Sequence, residues 1–374
     1  MNRDLVVFGE DWGQHPSSTQ HLIKRLAEDR KIIWVNSIGL RRPKFSVADI
    51  SRVINKLKKM MGNMVAHSTP QPQNMTFIEP RVIPVPTSRW AINLNRLIIG
   101  KTLRKVMKKE NIKNPIFWTS LPTAAELTGL CEESAIVYYC GDDFGALAGV
   151  DHQPVLNCEM KLAKKADLIF TASDVLANNF DPGKTKHLPH GVDTDLFTRP
   201  SIKAHDLPDH GPVAGFYGSI SEWIDQDLII QCATSLPDWT FVFVGSQHVD
   251  VSKLQSMPNI HLLGARSHEQ LPSYVQHWDV SIMPFVDNAQ IRACNPLKLR
   301  EYMAAGRPIV ATPFPALEPY KNYIIQANTQ AGYVRGLKDA FKEGLTGQAP
   351  RQQAVNTESW SARADDVNIM LNTL

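Results

Sequence analysis

The chain has 374 residues, 43% apolar and 21% charged, which suits about two domains with real cores and excludes a disordered or fibrous protein. Five cysteines, at 131, 140, 158, 232 and 294, form no CxxC pair and are odd in number, which argues against a disulfide scaffold or zinc ribbon and fits a reducing compartment. The net charge of +3 is uneven, with +7 on residues 1–200 and −4 on residues 201–374.

The N-terminus runs straight into Leu5-Val6-Val7-Phe8-Gly9 without signal-peptide architecture, and no apolar run approaches the roughly 18 residues of a bilayer span. A cytoplasmic protein is expected. From there a short apolar run, a turn and a helical pattern recur. The first half has strand candidates at Leu5–Phe8, Ile32–Val35, Ile116–Thr119, Ile136–Tyr139 and Leu168–Thr171. Helices are expected over Ser18–Asp29, Asp49–Met61, Ser88–Lys109, Thr123–Leu130, Pro154–Lys165 and Asp174–Asn179, with Ser18 as a plausible N-cap. Five prolines between Asn63 and Arg89 mark an extended excursion. Basic residues cluster twice, at Arg41, Arg42, Lys44, Arg52, Lys56, Lys58 and Lys59, and at Arg96, Lys101, Arg104, Lys105, Lys108, Lys109 and Lys113. They read either as solvated helix faces or as a surface for anionic lipid headgroups.

A second series follows the proline-containing segment 198–211. Its strands are expected at Val213–Tyr217, Thr240–Val244, Ile260–Leu263, Val280–Met283 and Ile309–Thr312. The helices between them are Gln226–Leu236, Val251–Met257, Glu269–His277 and Pro296–Ala305, and a last helix lies near Ser359–Leu374. Two βα series of about five strands each predict two Rossmann-like, doubly wound parallel sheets facing each other.

The most informative window is Asn295-Pro296-Leu297-Lys298-Leu299-Arg300-Glu301-Tyr302-Met303-Ala304-Ala305-Gly306. Asn295 is a good N-cap, Pro296 fits the first turn and Gly306 suits the stop. A helix that starts sharply after a strand presents free N–H groups and a positive dipole end, the requirements of a phosphate site. Lys298 lies in its first turn, and Glu301 on the same face offers acceptors for two ribose hydroxyls. A well-capped helix with a solvated Lys–Glu pair is the plainer alternative. Gly218-Ser219 after Tyr217, Gly245-Ser246 after Val244, and Gly264-Ala265-Arg266 end further strands at the same sheet edge. These three strand ends and the helix start, four elements at one edge, predict a pocket.

The second half resembles group 1, family 4-like, glycosyltransferases of the GT-B fold. The phrases that carry the resemblance are His190-Gly191-Val192-Asp193, Phe216-Tyr217-Gly218-Ser219, Asn259-Ile260-His261-Leu262-Leu263-Gly264 and Pro296 through Pro308. In the first half, Trp12-Gly13 and Val137-Tyr138-Tyr139-Cys140-Gly141-Asp142-Asp143 are similar to a bacterial polysaccharide branch that includes teichuronic-acid transferases and the xanthan glucuronosyltransferase. The resemblance implies a GT-B architecture with a cleft. Residues 1–197 would form the acceptor domain, 198–356 the nucleotide-sugar domain, and 357–374 a helix packing back across the cleft. Donor binding is expected at Gly218, Ser219, Gly245, Ala265, Arg266, Asn295, Pro296, Lys298 and Glu301, and the acceptor or cleft side at Trp12, Gly13 and His190.

Retaining members of the family carry Glu, seven residues, then Glu; with Glu301 as the second, the first position is Ala293. A methyl group cannot serve, so inversion is expected. Inversion needs a general base, for which Asp142 and Asp143 stand at a strand end; either can equally cap the next turn. Asp193-Thr194-Asp195 reads as surface, so neither a metal nor a cofactor is expected beyond the nucleoside-diphosphate sugar, of UDP type.

The reading is a hexosyl- or glycuronosyl-type transferase acting on a lipid-linked or other saccharide acceptor at an anionic membrane surface, with no nucleic-acid partner. The rival is a GT-B nucleotide-sugar epimerase. A non-catalytic carbohydrate-binding protein would follow if Ala293 means lost activity. A nicotinamide oxidoreductase is disfavoured because Gly9-Glu10-Asp11-Trp12-Gly13 lacks GxGxxG and puts acids where a pyrophosphate would sit.

Overall fold

A computed structural model describes residues 2–13, 17–37, 72–80, 89–147 and 150–374. The expected helix Asp49–Met61, the first basic cluster and most of the proline-rich excursion lie outside these residues. The chain divides into two compact units. One comprises Met1–Ala172, Leu176–Leu188 and Ala364–Leu374; the other comprises Ser173–Val175 and Pro189–Arg363.

In the first unit, β1 (Leu5–Phe8), β2 (Ile32–Val35), β3 (Met75–Ile78), β4 (Ile116–Thr119), β5 (Ala135–Cys140), β6 (Leu168–Thr171) and β7 (Thr185–His187) form one sheet. Its order is β3-β2-β1-β4-β5-β6-β7, and every pairing is parallel. The central strands are apolar on both faces because a parallel sheet is covered on both sides. Leu5–Phe8 and Ile32–Val35 are wholly buried. Phe8 stacks on Phe117 at 4.8 Å in a core that also takes Ile99 and Leu103 of the helix Arg89–Glu110.

The second unit repeats the plan with β8 (Val213–Tyr217), β9 (Thr240–Val244), β10 (Ile260–Leu262), β11 (Val280–Met283), β12 (Ile309–Ala311) and β13 (Ile324–Gln326), ordered β10-β9-β8-β11-β12-β13 and again all parallel. Gly215 in β8 lets Trp278 lie against the sheet, since a Cβ there would stand 1.9 Å from the indole ring. The strand order reverses between β8 and β11. At that point neighbouring connections leave on opposite faces and open a crevice at the carboxyl edge, where ligands of such sheets bind.

Several expectations change. The sheets have seven and six strands rather than about five each. The additional β3, β7 and β13 are all edge strands of three or four residues. Ser17, not Ser18, caps the first helix, accepting from the Gln20 N–H at 3.2 Å, while Ser18 is buried in its first turn. The expected helix Thr123–Leu130 is a 3-10 turn, Pro122–Leu127, that stops before Gly129 (φ +83°). Glu269–His277 breaks into a 3-10 turn, His268–Gln270, and a short helix, Pro272–Val275, because Pro272 has no N–H to donate. The C-terminal helix Trp360–Leu371 starts in the second unit, and its residues from Ala364 onward group with the first.

Candidate functional site

The second unit's candidate site is built on the helix Leu297–Ala305, which runs between β11 and β12 and ends at Gly306 with φ +80°. Pro296, not Asn295, is its N-cap, and no side chain caps it. The peptide N–H groups of Leu297 and Lys298 make no hydrogen bond within the described chain, so the positive end of the helix is available to an anion. Asn295 is withdrawn from capping by Arg300, whose Nη1 donates to Asn295 Oδ1 at 2.6 Å. Arg300 is 4% exposed; its Nε donates to Glu358 at 2.6 Å and its guanidinium lies over the Tyr320 ring at 5.6 Å. Tyr320 Oη and Arg363 donate to the same Glu358 carboxylate. This buried network fixes the loop that leads into the helix.

Lys298 points back at the end of β8. Its Nζ lies 5.3 Å from the Phe216 ring centroid and 5.5 Å from that of Phe285, within cation–π range. Gly218, at φ +130°, leaves room for it: a Cβ there would come within 3.0 Å of Lys298 Cε and 3.2 Å of Nζ. Gly245 is needed one strand over, where a Cβ would meet the Gly218 carbonyl oxygen at 1.9 Å. Loss of hydration pulls the Lys298 pKa down, against the raising influence of Cys294 and Glu301.

Glu301 is buried with both carboxylate oxygens in use. Tyr217 Oη donates to Oε2 at 2.6 Å, and His268 Nε2 lies 2.8 Å from Oε1. Burial alone would raise its pKa. The bond to His268 and its charge, the Tyr217 bond and the Lys298 ammonium outweigh burial and hold the carboxyl below its ordinary range. For His268, burial opposes the charge, but the Glu301 carboxylate, with Glu269 and Asp193 farther off, raises the pKa overall. Each carboxylate oxygen keeps acceptor capacity for a further donor such as a sugar hydroxyl.

The structure therefore brings Gly218, Gly245, Lys298 and Glu301 together with the uncapped helix start. Ser219 follows Gly218 directly. Arg266 is committed locally, with its Nε on Tyr274 Oη at 2.8 Å and its Nη2 paired to Asp206, while Ala265 beside it is exposed. His190 is buried, and next to it Gly191 lets the Trp360 ring approach. Asp193 caps the short helix Thr194–Thr198, accepting from the Leu196 N–H at 3.1 Å, and Asp195 is exposed. Among the described residues no group of three or more His, Cys, Asp or Glu side chains is arranged to hold a metal ion.

In the first unit the two aspartates after β5 take different roles. Asp143 serves the turn: its Oδ1 accepts from the Gly145 N–H at 2.8 Å, and its carbonyl accepts from Ala146 and Leu147. The exposed Asp142 has no side-chain partner among the described residues. Although its surface is open to solvent, the protein crowded around it partly dehydrates the carboxylate; that, and then repulsion from Glu10 and Asp143, raises its pKa. Trp12 is a core residue, 6% exposed, packed edge-on to Trp34 at 4.8 Å and tilted against Phe77. Gly13, at φ +79°, donates its N–H to Gln20 Oε1 at 3.0 Å. The sequence reading did not single out His268 or Glu358. A lone histidine in a polar turn, or a glutamate before a C-terminal helix, offers no local signal; both acquire meaning from what they touch.

Residues 211–342 match the family model for group 1 glycosyl transferases. A Bacillus subtilis (strain 168) protein, TuaH, whose name assigns it to teichuronic acid biosynthesis as a glycosyltransferase, is 26% identical over 275 residues, 65% of this chain and 68% of its own length. Among solved structures, the sucrose-phosphate synthase of Thermosynechococcus elongatus superposes with a TM-score of 0.72 at 14% identity, covering 99% of this chain and 98% of its own. Anabaena HepE in complex with UDP superposes with a TM-score of 0.68 at 13% identity, covering 99% of this chain and all of its own. Residues 211–342 thus match a group 1 glycosyltransferase domain, and the chain has the GT-B fold.

Proposed function

We propose that this glycosyltransferase moves a sugar from a UDP-type nucleoside-diphosphate donor to a saccharide acceptor carried on a membrane lipid, in the synthesis of a cell-surface polysaccharide. The donor half rests on one observation: the uncapped start of the helix Leu297–Ala305 meets Lys298, Gly218 and Gly245 at the carboxyl edge of the second sheet, where its strand order reverses. The helix N–H groups and Lys298 hold the diphosphate and accept its growing charge as the glycosidic bond breaks, without a cation. Glu301 accepts from the ribose hydroxyls. The presence of UDP with HepE and the polysaccharide assignment of TuaH support the choice of nucleotide and pathway class.

Asp142 is the base of an inverting displacement in this reading. Its carboxylate takes the proton of the acceptor hydroxyl as that oxygen attacks the anomeric carbon and UDP leaves from the opposite face. An unpartnered carboxylate with a raised pKa suits the task, and Ala293, 2% exposed with only a methyl group, stands where a retaining relative would carry its first glutamate. NMR of the linkage formed from an α-linked donor tests the reading. A β-linked product is expected, and an α-linked product refutes inversion. A thermal-shift panel of nucleoside diphosphates tests the donor: the largest stabilisation is expected with UDP, and an equal shift with GDP or ADP removes the UDP assignment.

A further inference from the structure

We propose that the exposed face of the helix Arg89–Glu110 docks on an anionic bilayer, with Trp90, Leu94 and Leu97 at the acyl boundary and Lys101, Lys105 and Lys108 on lipid phosphates. This deepens the membrane part of the reading above by naming a surface.

The helix has two faces with opposite tasks. Ile99 and Leu103 are 3% and 0% exposed and join the core of the first unit, with Val106 and Met107 packed beside them. On the other side Trp90 is 62% exposed, Leu94 37% and Leu97 60%, and Lys101, Arg104, Lys105 and Lys108 are exposed as well. At about 100° per residue these seven side chains fall in a sector about 100° wide, and the stripe from 90 to 108 is about 27 Å long. Its first half is apolar and its second half cationic. An ordinary solvated face does not place a tryptophan and two leucines in line, and a protein-binding patch needs no run of cations beyond it.

Charge complementarity selects the occupant. The only acid in the helix is Glu110, its last residue, which is half-buried with Lys109 3.8 Å away. Among the described residues none of Lys101, Arg104, Lys105 or Lys108 has an ion-pair partner. A negative surface would neutralise all four, and an indole suits the headgroup boundary because it joins an apolar body to one N–H donor. No helix among the described residues is long and apolar enough to cross a membrane, so this contact is a surface one.

Cosedimentation of the full chain with phosphatidylglycerol–phosphatidylcholine vesicles, and with phosphatidylcholine alone, tests the proposal. Binding is expected to the anionic vesicles at low salt and to weaken as salt rises. At about fivefold in partition per cation, the triple variant Lys101→Ala/Lys105→Ala/Lys108→Ala should bind about a hundredfold more weakly. Vesicles with brominated acyl chains should quench part of the tryptophan emission of the unaltered chain, and Trp90→Phe should abolish that part. No binding at low salt, full binding by the triple variant, or quenching independent of Trp90 each overturns the proposal. Thermal stabilisation by UDP and turnover of a water-soluble acceptor are expected to be unchanged in these variants. If those two readouts fail in the unaltered chain while Trp90-dependent vesicle binding holds, the transferase reading falls and the docking surface stands.

Discussion

The two units share a parallel, doubly wound sheet but treat the polar groups beyond their strands in opposite ways. In the second unit every charged side chain of the helix start that is deeply buried is already engaged: Glu301 by Tyr217 and His268, Arg300 by Asn295 and Glu358. In the first unit Asp143 is consumed by its turn, while Asp142 has no side-chain partner among the described residues. A binding site gains from groups held in place before the ligand arrives, since ordering them on binding would cost affinity. A general base must instead be free to take a proton, and an unpartnered carboxylate such as Asp142 meets that requirement. On the proposed reading, the contrast separates a preorganised nucleotide cradle from a reactive carboxylate.

The strongest way to break that contrast is at Asp142. Asp142→Asn should lower turnover about 10²–10⁴-fold with UDP affinity unchanged, whereas Asp143→Asn should mainly loosen its turn. The acid limb of the rate profile should lie above an ordinary aspartate, near 3.9, because the Asp142 pKa is raised and its base form appears only above it. A nearly full rate in Asp142→Asn would return Asp142 to the same class as Asp143.

The cradle's support is the next largest effect. Arg300→Met leaves Glu358 and Asn295 without their buried donor and should cost about 3 kcal/mol of stability, read from urea unfolding. Little change would mean that Tyr320 and Arg363 suffice to hold Glu358. Lys298→Ala removes a charge-assisted phosphate contact and should weaken UDP by about 1.5–3 kcal/mol by calorimetry. Unchanged affinity would leave Lys298 as a packing residue between Phe216 and Phe285.

The smallest effect concerns pH. The His268 pKa is raised in the folded state, so its contribution is fully present below its unfolded value of about 6.5 and disappears as pH rises through the folded value. Glu301, whose pKa is lowered, contributes above the ordinary carboxylate range and loses that contribution as pH falls through its folded value. His268→Gln should therefore be less stable than the unaltered chain by about 1 kcal/mol near pH 6, with the gap closing as pH rises through the raised folded-state value of His268. The His268 ring also packs edge-on against Phe197 at 5.5 Å, and a gap independent of pH would show that this packing acts without a charged bond to Glu301.

How much of this was legible beforehand depended on where each residue sits in its sheet. Leu5–Phe8, Val213–Tyr217 and Thr240–Val244 are apolar on both faces and were readable to the residue. Thr185–His187 and Ile324–Gln326 are short edge strands with polar positions, and only pairing to a neighbour defines them. The helix and its stop at Gly306 were legible in the same way, because the left-handed terminus needs glycine.

The sequence by itself determined two parallel α/β units, glycines at strand ends, and a helix with Lys298 and Glu301 in its first turns, because these follow from periodicity and backbone geometry along the chain. Tertiary structure alone decided which polar group does what. Asn295 reads as a cap until the Arg300 guanidinium reaches it, Trp12 reads as a cleft residue until Trp34 and Phe77 enclose it, and Asp142 and Asp143 are equivalent until a turn claims one. The physical reason is that propensity and pattern are local, while a hydrogen bond or a desolvated charge is set by partners distant in the chain: His268 meets Glu301 across 33 residues and Arg300 meets Glu358 across 58.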